Sequence, residues 1–376
     1  MSLTQGFTTD RFAGVRDVLE ASLATGGDVG ASISIRHHDE LVVDIWGGQA
    51  DVSNDVPWRD DTLVNVWSTT KTMTFLCALL LLDRGLLDFD APVATYWPEF
   101  AANGKSGVLV RHLLAHTAGL SGFETKIQPE ELADWELCVS ALAAQEPWWE
   151  PGTQSGYHAV TQGYLIGEVV RRITGVSIGT FFRTEFAEPL DADFFIGLPA
   201  SEEDRVSLVI APPLPDMSSL DNDSILVRSL TSPPLDGSAP HQRWWRAAEI
   251  PAANGHGNAR SVALLQSIIT NRGEAMGRRF LRPETVDRVF RTEIEGPDLV
   301  LALPMRFGGA GYGLGNETVP LGPNACFWGG FGGSIIVMDQ ESGLTISYMM
   351  NKMQVGLVGD TRGFVIVLAA LAALAD

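Results

Sequence analysis

The 376-residue sequence has little positive charge, and very little of that charge is lysine. It contains 26 basic residues against 46 acidic ones, which gives a formal net charge of -20 at pH 7. A surface this acidic repels phosphate backbones and anionic lipids, so the composition argues against nucleic-acid and peripheral membrane partners. The lysines are Lys71, Lys105, Lys126 and Lys352.

Cysteine and long hydrophobic runs are also scarce. Cys77, Cys138 and Cys326 are widely spaced and odd in number, so the sequence predicts neither a disulfide framework nor a metal site, and no cofactor is expected. The longest apolar run, residues 364–375, falls short of the roughly 20 residues that a membrane span needs. Residues 1–10 lack the positive charge and apolar stretch of a signal peptide. We therefore expect a cytoplasmic protein.

The hydrophobic pattern places strands near both ends of the chain and helices between them. Strand-like runs occupy residues 31–36, 41–46, 326–339 and 344–351. Helical patterns occupy residues 10–25, 68–84, 132–144, 161–173, 261–271, 283–291 and 364–375. Short connections between the strands favour antiparallel pairing. The prediction is an α+β fold, with an antiparallel sheet formed from both termini and flanked by helices, and an inserted, mostly helical subdomain.

The same pattern divides the chain into two subdomains. Residues 1–67 and 255–376 are assigned to an α/β subdomain that contains the sheet. Residues 68–254 are assigned to the helical subdomain. The stretch 197–258 is rich in proline, glycine, serine and aspartate, a composition that predicts a loop-rich pocket rim. Most of this stretch, residues 197–254, lies in the helical subdomain.

The sharpest chemical signal is the sequence S-T-T-K at residues 68–71, just before an apolar run at residues 73–82. Residues three apart lie on one face of a helix, so Ser68 Oγ and Lys71 Nζ should point the same way. The start of a helix favours a developing oxyanion at Ser68. Apolar surroundings lower the pKa of a lysine, and a neutral amine can accept the serine proton. The alternative is a serine cap followed by a surface lysine.

A second serine motif, G-x-S-x-G, occurs at residues 175–179 and centres on Ser177. In a nucleophile elbow this motif follows a strand. Here it follows the helical pattern of residues 161–173. Ser177 is therefore predicted to cap the next helix rather than to act as a nucleophile.

Two further segments contain residues suited to a catalytic site. The aromatic and glycine-rich string at residues 326–334 lets another group approach the backbone, where an amide N–H can stabilise an oxyanion. Tyr157 lies in a loop, where a nearby cationic lysine would lower the pKa of its phenol and allow proton transfer. The alternatives are a closely packed, bulged strand and a tyrosine that serves packing or a surface hydrogen bond.

Taken in chain order, these segments resemble the serine β-lactamase and penicillin-binding-protein superfamily, in its class C-like branch, and most of all the family VIII carboxylesterases. The resemblance extends over nearly the whole chain and includes residues 83–93 (DRGLLDFDAPV), 113–120 (LLAHTAGL) and 255–261 (GHGNARS). It implies that Ser68 is the acylated nucleophile, Lys71 its general base and Tyr157 the proton relay. The oxyanion hole would be formed by the N–H groups of Ser68 and Phe331.

Two departures from the family pattern concern the substrate. Ala159 replaces the asparagine of the Tyr-x-Asn motif, and Trp328-Gly329-Gly330 replaces the Lys-Thr-Gly motif. Losing that amide and that cation weakens recognition of penicillins and peptides, whereas an indole offers a flat apolar wall to an uncharged ester. Trp328, Gly329 and Gly330 are therefore assigned to substrate binding. Further candidates for the pocket, or equally for the core, are Trp148, Trp149, Trp244 and Trp245.

The leading hypothesis is a serine carboxylesterase that hydrolyses small uncharged esters through an acyl-enzyme. An acyltransferase, an amide hydrolase or a weak β-lactamase would use the same acyl-enzyme. A catalytically silent protein of the same fold is disfavoured because the serine, the lysine and the tyrosine are all retained. The expected partner is a small-molecule ester, and His116 is assigned no chemical role.

Overall fold

The computed structural model describes residues 2–213, 217 and 219–375. Residues 1 and 376 of the predicted α/β subdomain, and residues 214–216 and 218 of the predicted rim, lie outside the described residues. The strands are β1 (Thr4–Thr8), β2 (Gly30–His37), β3 (Glu40–Asp51), β4 (Val56–Pro57), β5 (Val64–Asn65), β6 (Phe194–Phe195), β7 (His256–Gly257), β8 (Glu274–Ala275), β9 (Arg278–Arg279), β10 (Thr292–Pro297), β11 (Pro304–Gly308), β12 (Gly313–Leu314), β13 (Ala325–Gly329), β14 (Ile335–Asp339) and β15 (Leu344–Met350).

The helices lie mainly between the two groups of strands that form the large sheet. They are α1 (Ala13–Thr25), α2 (Lys71–Asp83), α3 (Val110–Leu114), α4 (Trp135–Ala144), α5 (Thr161–Thr174), α6 (Ile178–Phe182), α7 (Glu188–Leu190), α8 (Ile225–Thr231), α9 (Arg243–Ala247), α10 (Ala259–Thr270), α11 (Pro283–Phe290) and α12 (Thr361–Ala375). The predicted helices therefore form, with ends displaced by a few residues at most.

A ten-stranded sheet joins the two ends of the chain. Its order is β1-β3-β2-β15-β14-β13-β12-β11-β10, with β4 paired to β3 outside this series. Every strand pair in it is antiparallel. Strand β2 from the N-terminal part pairs with β15 from the C-terminal part, from Ala31 opposite Met350 to His37 opposite Leu344. The predicted sheet built from both termini is confirmed.

Helices cover both faces of this sheet. Side chains alternate between the faces along a strand, so Thr345 and Tyr348 of β15 point in opposite directions. Thr345 Oγ1 lies 2.6 Å from Thr270 Oγ1 of α10. Tyr348 OH donates to Asp28, which follows α1, and the Tyr348 ring lies 5.8 Å from the guanidinium of Arg362 in α12. Helix α10 therefore covers one face, and α1 and α12 pack together on the other.

Helix α2 lies in the interior, which explains its continuously apolar sequence. Its residues from Lys71 to Leu81 are all buried. On one side Met73 Sδ lies 3.5 Å from Gln266 Nε2 of α10. On another side α5 and α6 pack against it. The start of α2 is thus held between the layer formed by the sheet with α10 and the helical part of the chain.

The sheet contains more strands than the sequence predicts. The run at residues 326–339 is two strands separated by a turn at residues 330–334, where Gly332 and Gly333 have φ values of 93° and 133° that suit glycine. Strands β1, β4 and β10 to β12 of this sheet were absent from the prediction. Of these, β10 is an edge strand of exposed and half-buried positions with little apolar contrast. The subdomain boundaries at residues 67/68 and 254/255 stay a prediction.

The C-terminal apolar run forms the 15-residue helix α12. Ile366, Val367 and Ala370 are buried, whereas Leu368 on the other side is exposed. Among the described residues, no helix is both long enough and apolar enough to cross a membrane.

Candidate active site

The predicted nucleophile, Ser68, lies in a 3-10 turn over Trp67–Thr70 that leads into α2. Trp67 has a φ of 47°, a left-handed conformation that costs a non-glycine residue about 1–2 kcal/mol. Surrounding contacts hold this turn. Thr70 Oγ1 donates to Trp67 O at 2.5 Å and accepts the N–H of Gly255 at 2.8 Å, and the Trp67 ring packs 5.3 Å from that of Trp245.

Lys71 lies where the S-x-x-K spacing predicts. Its Nζ is 3.2 Å from Ser68 Oγ, and it donates to the carbonyl oxygens of Ala159 at 2.6 Å and Ala252 at 2.9 Å. The side chain is fully buried, and this burial lowers the pKa of Lys71 well below its usual value. A neutral amine has two N–H bonds for the two carbonyls and one lone pair for Ser68. The geometry therefore suits a base that accepts the serine proton.

Tyr157, in the loop that precedes α5, completes the cluster. Its OH donates to Ser68 Oγ at 2.5 Å, and Lys71 Nζ lies 4.8 Å from the ring centroid. The predicted lowering of its pKa is wrong, because burial raises the pKa of Tyr157 and the bond to Ser68 offsets this only in part. A buried Lys71 disfavours its own cation, so no full positive charge opposes the effect of burial. Tyr157 is therefore a protonated donor at neutral pH.

A buried polar framework holds the loop of Tyr157. Asp298 Oδ1 accepts the backbone N–H of Tyr157 at 3.0 Å and two N–H groups of its own loop at 2.9 Å. The backbone N–H of His158 donates to His116 Nδ1 at 3.0 Å. Burial lowers the pKa of both histidines, that of His158 to about 3. Both rings are therefore neutral, and both accept backbone N–H groups: His116 from His158 and His158 from Leu120.

Sequence reasoning missed Asp298 and the carbonyl of Ala252 as parts of this site. Asp298 lies 141 residues from Tyr157 along the chain, and Ala252 lies 181 residues from Lys71. A single acid in a loop, or a backbone carbonyl, leaves no motif in a sequence. Only the helix and loop packing brings them to the catalytic cluster.

The turn at residues 330–334 brings Gly330, the residue before the second predicted oxyanion donor, beside the backbone of the nucleophile. A Cβ atom on Gly330 would lie 2.3 Å from Val66 O and 3.2 Å from Ser68 N, so the two backbones nearly touch. Ser334 Oγ donates to Val66 O at 2.9 Å and fixes this approach. Among the described residues, the amide of Phe331 has no acceptor. An oxyanion hole formed by the N–H groups of Ser68 and Phe331 stays a prediction.

The tryptophan and glycines assigned to substrate binding lie elsewhere. Trp328 is fully buried, with its ring 5.6 Å from that of Tyr157 and stacked at 5.8 Å on His116. A Cβ atom on Gly329 would lie 2.5 Å from Gly359 N, so this glycine serves close packing, as Gly330 does. The flat apolar wall predicted for Trp328 is corrected: its indole supports Tyr157 from behind.

Ser68 and Tyr157 open instead onto a cavity of about 350 Å³. Its described lining residues are Trp67, Ser68, Tyr157, Ala159, Val160, Pro212, Pro213, Met217, Ser229, Leu230, Pro233, Leu235, Ala253, Phe331, Val355, Gly356 and Leu357. None of these carries a charged side chain. The rings of Trp67 and Phe331 meet edge to face at 5.3 Å and form its aromatic wall. Electrostatically, this lining suits an apolar, uncharged ligand.

The predicted pocket rim lies at the cavity, whereas Ser177 of the G-x-S-x-G motif does not. Described residues between 212 and 235 line one side of the cavity, and two of them, Ser229 and Leu230, belong to α8. Ser177 lies outside the cluster: its Oγ accepts the N–H of Thr180 at 3.3 Å and donates to Glu249 at 2.6 Å. It caps α6, which confirms the predicted cap, and its lack of a nucleophilic role stays a prediction. None of the described lining residues is among Trp148, Trp149, Trp244 and Trp245.

The fold is an antiparallel sheet with flanking helices, and its site is a buried serine within hydrogen-bond distance of a lysine and a tyrosine. Together they define a serine hydrolase with a β-lactamase-like fold. The chain belongs to the Beta-lactamase family, which matches residues 15–371. The resemblance inferred from the sequence motifs, and the fold class expected from it, are thereby confirmed.

Individual relatives share most of the chain. "Esterase/beta-lactamase LipL" of Mycobacterium tuberculosis (strain ATCC 25618 / H37Rv) is 36% identical over 356 residues, which cover 89% of this chain and 80% of that protein. The crystal structure of a family VIII carboxylesterase is 40% identical, with a TM-score of 0.92, and covers 98% of this chain and 99% of that one. A penicillin-binding protein homologue from Caulobacter crescentus is 36% identical, with a TM-score of 0.91 and the same coverage.

Proposed function

We propose that this protein is a serine carboxylesterase that hydrolyses small uncharged esters through an acyl-enzyme on Ser68. The observation that carries the proposal is the opening of the Ser68, Lys71 and Tyr157 cluster onto a cavity whose described lining has no charged side chain. The names of two relatives, an esterase/beta-lactamase and a family VIII carboxylesterase, support the same reaction class.

Acylation begins with proton transfer from Ser68 Oγ to the neutral Nζ of Lys71, 3.2 Å away. The oxygen attacks the ester carbonyl carbon, and the carbonyl oxygen becomes an oxyanion. The N–H groups of Ser68 and Phe331 stabilise that charge, with the start of α2 adding its dipole.

Collapse of the tetrahedral intermediate breaks the bond to the alkoxide. Tyr157, protonated because it is buried, donates its proton to the leaving oxygen. The ammonium of Lys71 then returns a proton to the phenolate, so both groups regain their starting states. Deacylation reverses these roles: water loses its proton to the same pair and attacks the acyl carbon, which releases the acid and Ser68.

The preference for esters over penicillins follows from what surrounds the cluster. Ala159, at the position of the family's asparagine, offers only its backbone carbonyl, and Lys71 already occupies it. Trp328, at the position of the family's lysine, is an uncharged side chain. A substrate carboxylate entering the cavity would therefore lose its hydration without gaining a cation among the described lining residues.

The test compares Ser68→Ala and Lys71→Ala with wild type on a short-chain p-nitrophenyl ester. Ser68→Ala should abolish turnover, and Lys71→Ala should lower kcat/KM by about 10²–10⁴ because it removes the general base. The control is Ser177→Ala, a serine that caps α6 outside the cluster, and it should keep wild-type activity. Loss of activity in Ser177→Ala alone would refute the assignment.

The setting of this reaction is part of the proposal. A small-molecule ester is the partner, without nucleic acid or membrane, and the location is cytoplasmic. The acidic composition supports the absence of nucleic-acid and membrane partners.

A further inference from the structure

A buried ionic cluster lies directly behind the turn at residues 330–334. Its centre is Arg362 near the start of α12, whose side chain is 9% exposed. Arg362 pairs with Asp28 at 2.8 Å and with Asp360 at 2.5 Å, and both carboxylates are buried. Tyr348 OH donates to Oδ1 of Asp28 at 2.6 Å. We call these four side chains the Arg362 cluster.

The guanidinium of Arg362 uses all of its N–H groups. Nε donates to Asp360 at 3.0 Å, and Nη1 donates to Asp28 and to the carbonyl oxygen of Lys352 at 2.9 Å. Nη2 donates to Asp360 and to the carbonyl oxygen of Gly332 at 2.8 Å. A planar group with every donor bonded is held in a single orientation. The Gly332 carbonyl is therefore fixed from behind.

A second contact reaches the peptide that presents the Phe331 N–H. The carbonyl of Gly330 belongs to that same peptide unit, and it accepts the N–H groups of Gly333 at 3.2 Å and Gly359 at 3.3 Å. Because a peptide unit is planar, holding this carbonyl sets the direction of the Phe331 N–H. Gly359 directly precedes Asp360, so the same segment carries this bond and part of the Arg362 cluster.

The turn also has no space to move toward the Arg362 cluster. Gly333 has a φ of 133°, and a Cβ atom there would lie 2.3 Å from Asp360 Oδ2 and 2.6 Å from Arg362 Nη2. The backbone of the turn is thus packed directly on the two charged groups. Any shift of the guanidinium would displace the turn.

We propose that Arg362, held by Asp28 and Asp360, is a positioning residue that fixes the direction of the Phe331 N–H toward the oxyanion. This inference rests on the proposed function, because the N–H is used only if Ser68 forms an acyl-enzyme. Removing one oxyanion-hole donor costs about 10²–10³ in kcat, and a misplacement of about 1 Å in an active site costs about 10². The Arg362 cluster prevents such a misplacement.

The variant that tests this is Arg362→Lys, which keeps the charge and loses the planar fork. We expect kcat to fall about tenfold to a hundredfold while KM changes by less than about threefold. Tyr348→Phe is a milder variant that removes one bond to Asp28 and keeps the ring, and it should lower kcat by a smaller factor. The matched control is Arg36→Lys, an equally buried arginine on β2 paired with Asp39, which should keep wild-type kcat.

An alkylboronic acid separates positioning from a general structural role. It adds to Ser68 Oγ as a tetrahedral anion, so its affinity reports the oxyanion hole without turnover. In Arg362→Lys this affinity should fall by about the same factor as kcat. Inhibition by an unreactive alkyl ether of the same chain length, which only fills the cavity, should stay unchanged. A merely structural role would weaken both inhibitors together.

The outcomes separate this inference from the proposed function. If Arg362→Lys and Tyr348→Phe are folded, by thermal melting, and keep wild-type kcat and boronate affinity, the positioning role is refuted. If the wild-type protein binds the boronic acid and hydrolyses no ester, the proposed function fails. In that case the boronate affinities of the variants still decide the role of Arg362.

Discussion

Replacing His158 by glutamine should remove part of the loss of stability that acid causes. The ring of His158 is fully buried, with Nε2 accepting the N–H of Leu120 at 3.1 Å and Nδ1 lying 2.6 Å from Gly156 O. This pattern places the single ring proton on Nδ1 and leaves Nε2 as an acceptor. Protonation of Nε2 would break the bond to Leu120. Glutamine offers an acceptor oxygen and a donor amide group without a titrating group.

The magnitude follows from the shift in pKa. Burial lowers the pKa of His158 from its model-peptide value of 6.5 to about 3. The unfolded chain therefore takes up a proton below about pH 6.5 that the folded chain refuses, so stability falls as the pH falls through this window. Between about pH 7 and pH 5 this single histidine lowers the free energy of unfolding by about 2 kcal/mol. The same loss should be absent from His158→Gln.

Urea denaturation at about pH 7 and pH 5 measures the free energy of unfolding of each protein. The quantity to compare is the drop between the two pH values in the variant and in wild type. His158→Gln will lose some stability at neutral pH through altered packing, but the drop between the two pH values should be about 2 kcal/mol smaller than in wild type. His241→Gln, the same exchange at an exposed position, is the control. An unchanged drop in His158→Gln would show that His158 is not held neutral by burial.

The remaining predictions concern the chemistry of the cluster. Tyr157→Phe should lower kcat more for alkyl esters than for p-nitrophenyl esters, because only the alkoxide needs the proton that Tyr157 donates; equal losses on both substrates would contradict that role. The wild-type protein should turn over nitrocefin with a lower kcat/KM than p-nitrophenyl butyrate, since the described cavity lining offers no cation for its carboxylate. The reverse order would favour a β-lactamase.

The proximity of Ser68 and Lys71 could be predicted from the S-x-x-K motif, because it depends only on local helix geometry. Ser68 and Lys71 are three residues apart at the start of a helix, and that spacing alone puts both side chains on one face. The structure places Nζ 3.2 Å from Oγ, as the spacing predicts. Ser177 was classified for the same kind of reason, because a serine that follows one helical pattern and precedes another is a cap.

The pKa shifts of Tyr157 and Lys71 could not be predicted from local spacing. Burial of Tyr157 and Lys71 comes from segments far apart in the chain, since Tyr157 lies 89 residues from Ser68 and the Lys71 bond to Ala252 spans 181 residues. Desolvation depends on all of the neighbours that exclude water, and no local pattern records them. This is why the expected lowering of the Tyr157 pKa had the wrong sign.

Local sequence patterns were enough to predict the main helices, the sheet built from both ends of the chain and the spacing of nucleophile and base. These depend on side-chain alternation and helix geometry within a few residues. Three features of the site came from the packing of distant segments: Trp328 supports Tyr157 instead of facing the cavity, Asp298 holds the tyrosine loop, and Arg362 lies behind the turn at residues 330–334. Each of these depends on contacts between distant segments, which form only when the layers pack.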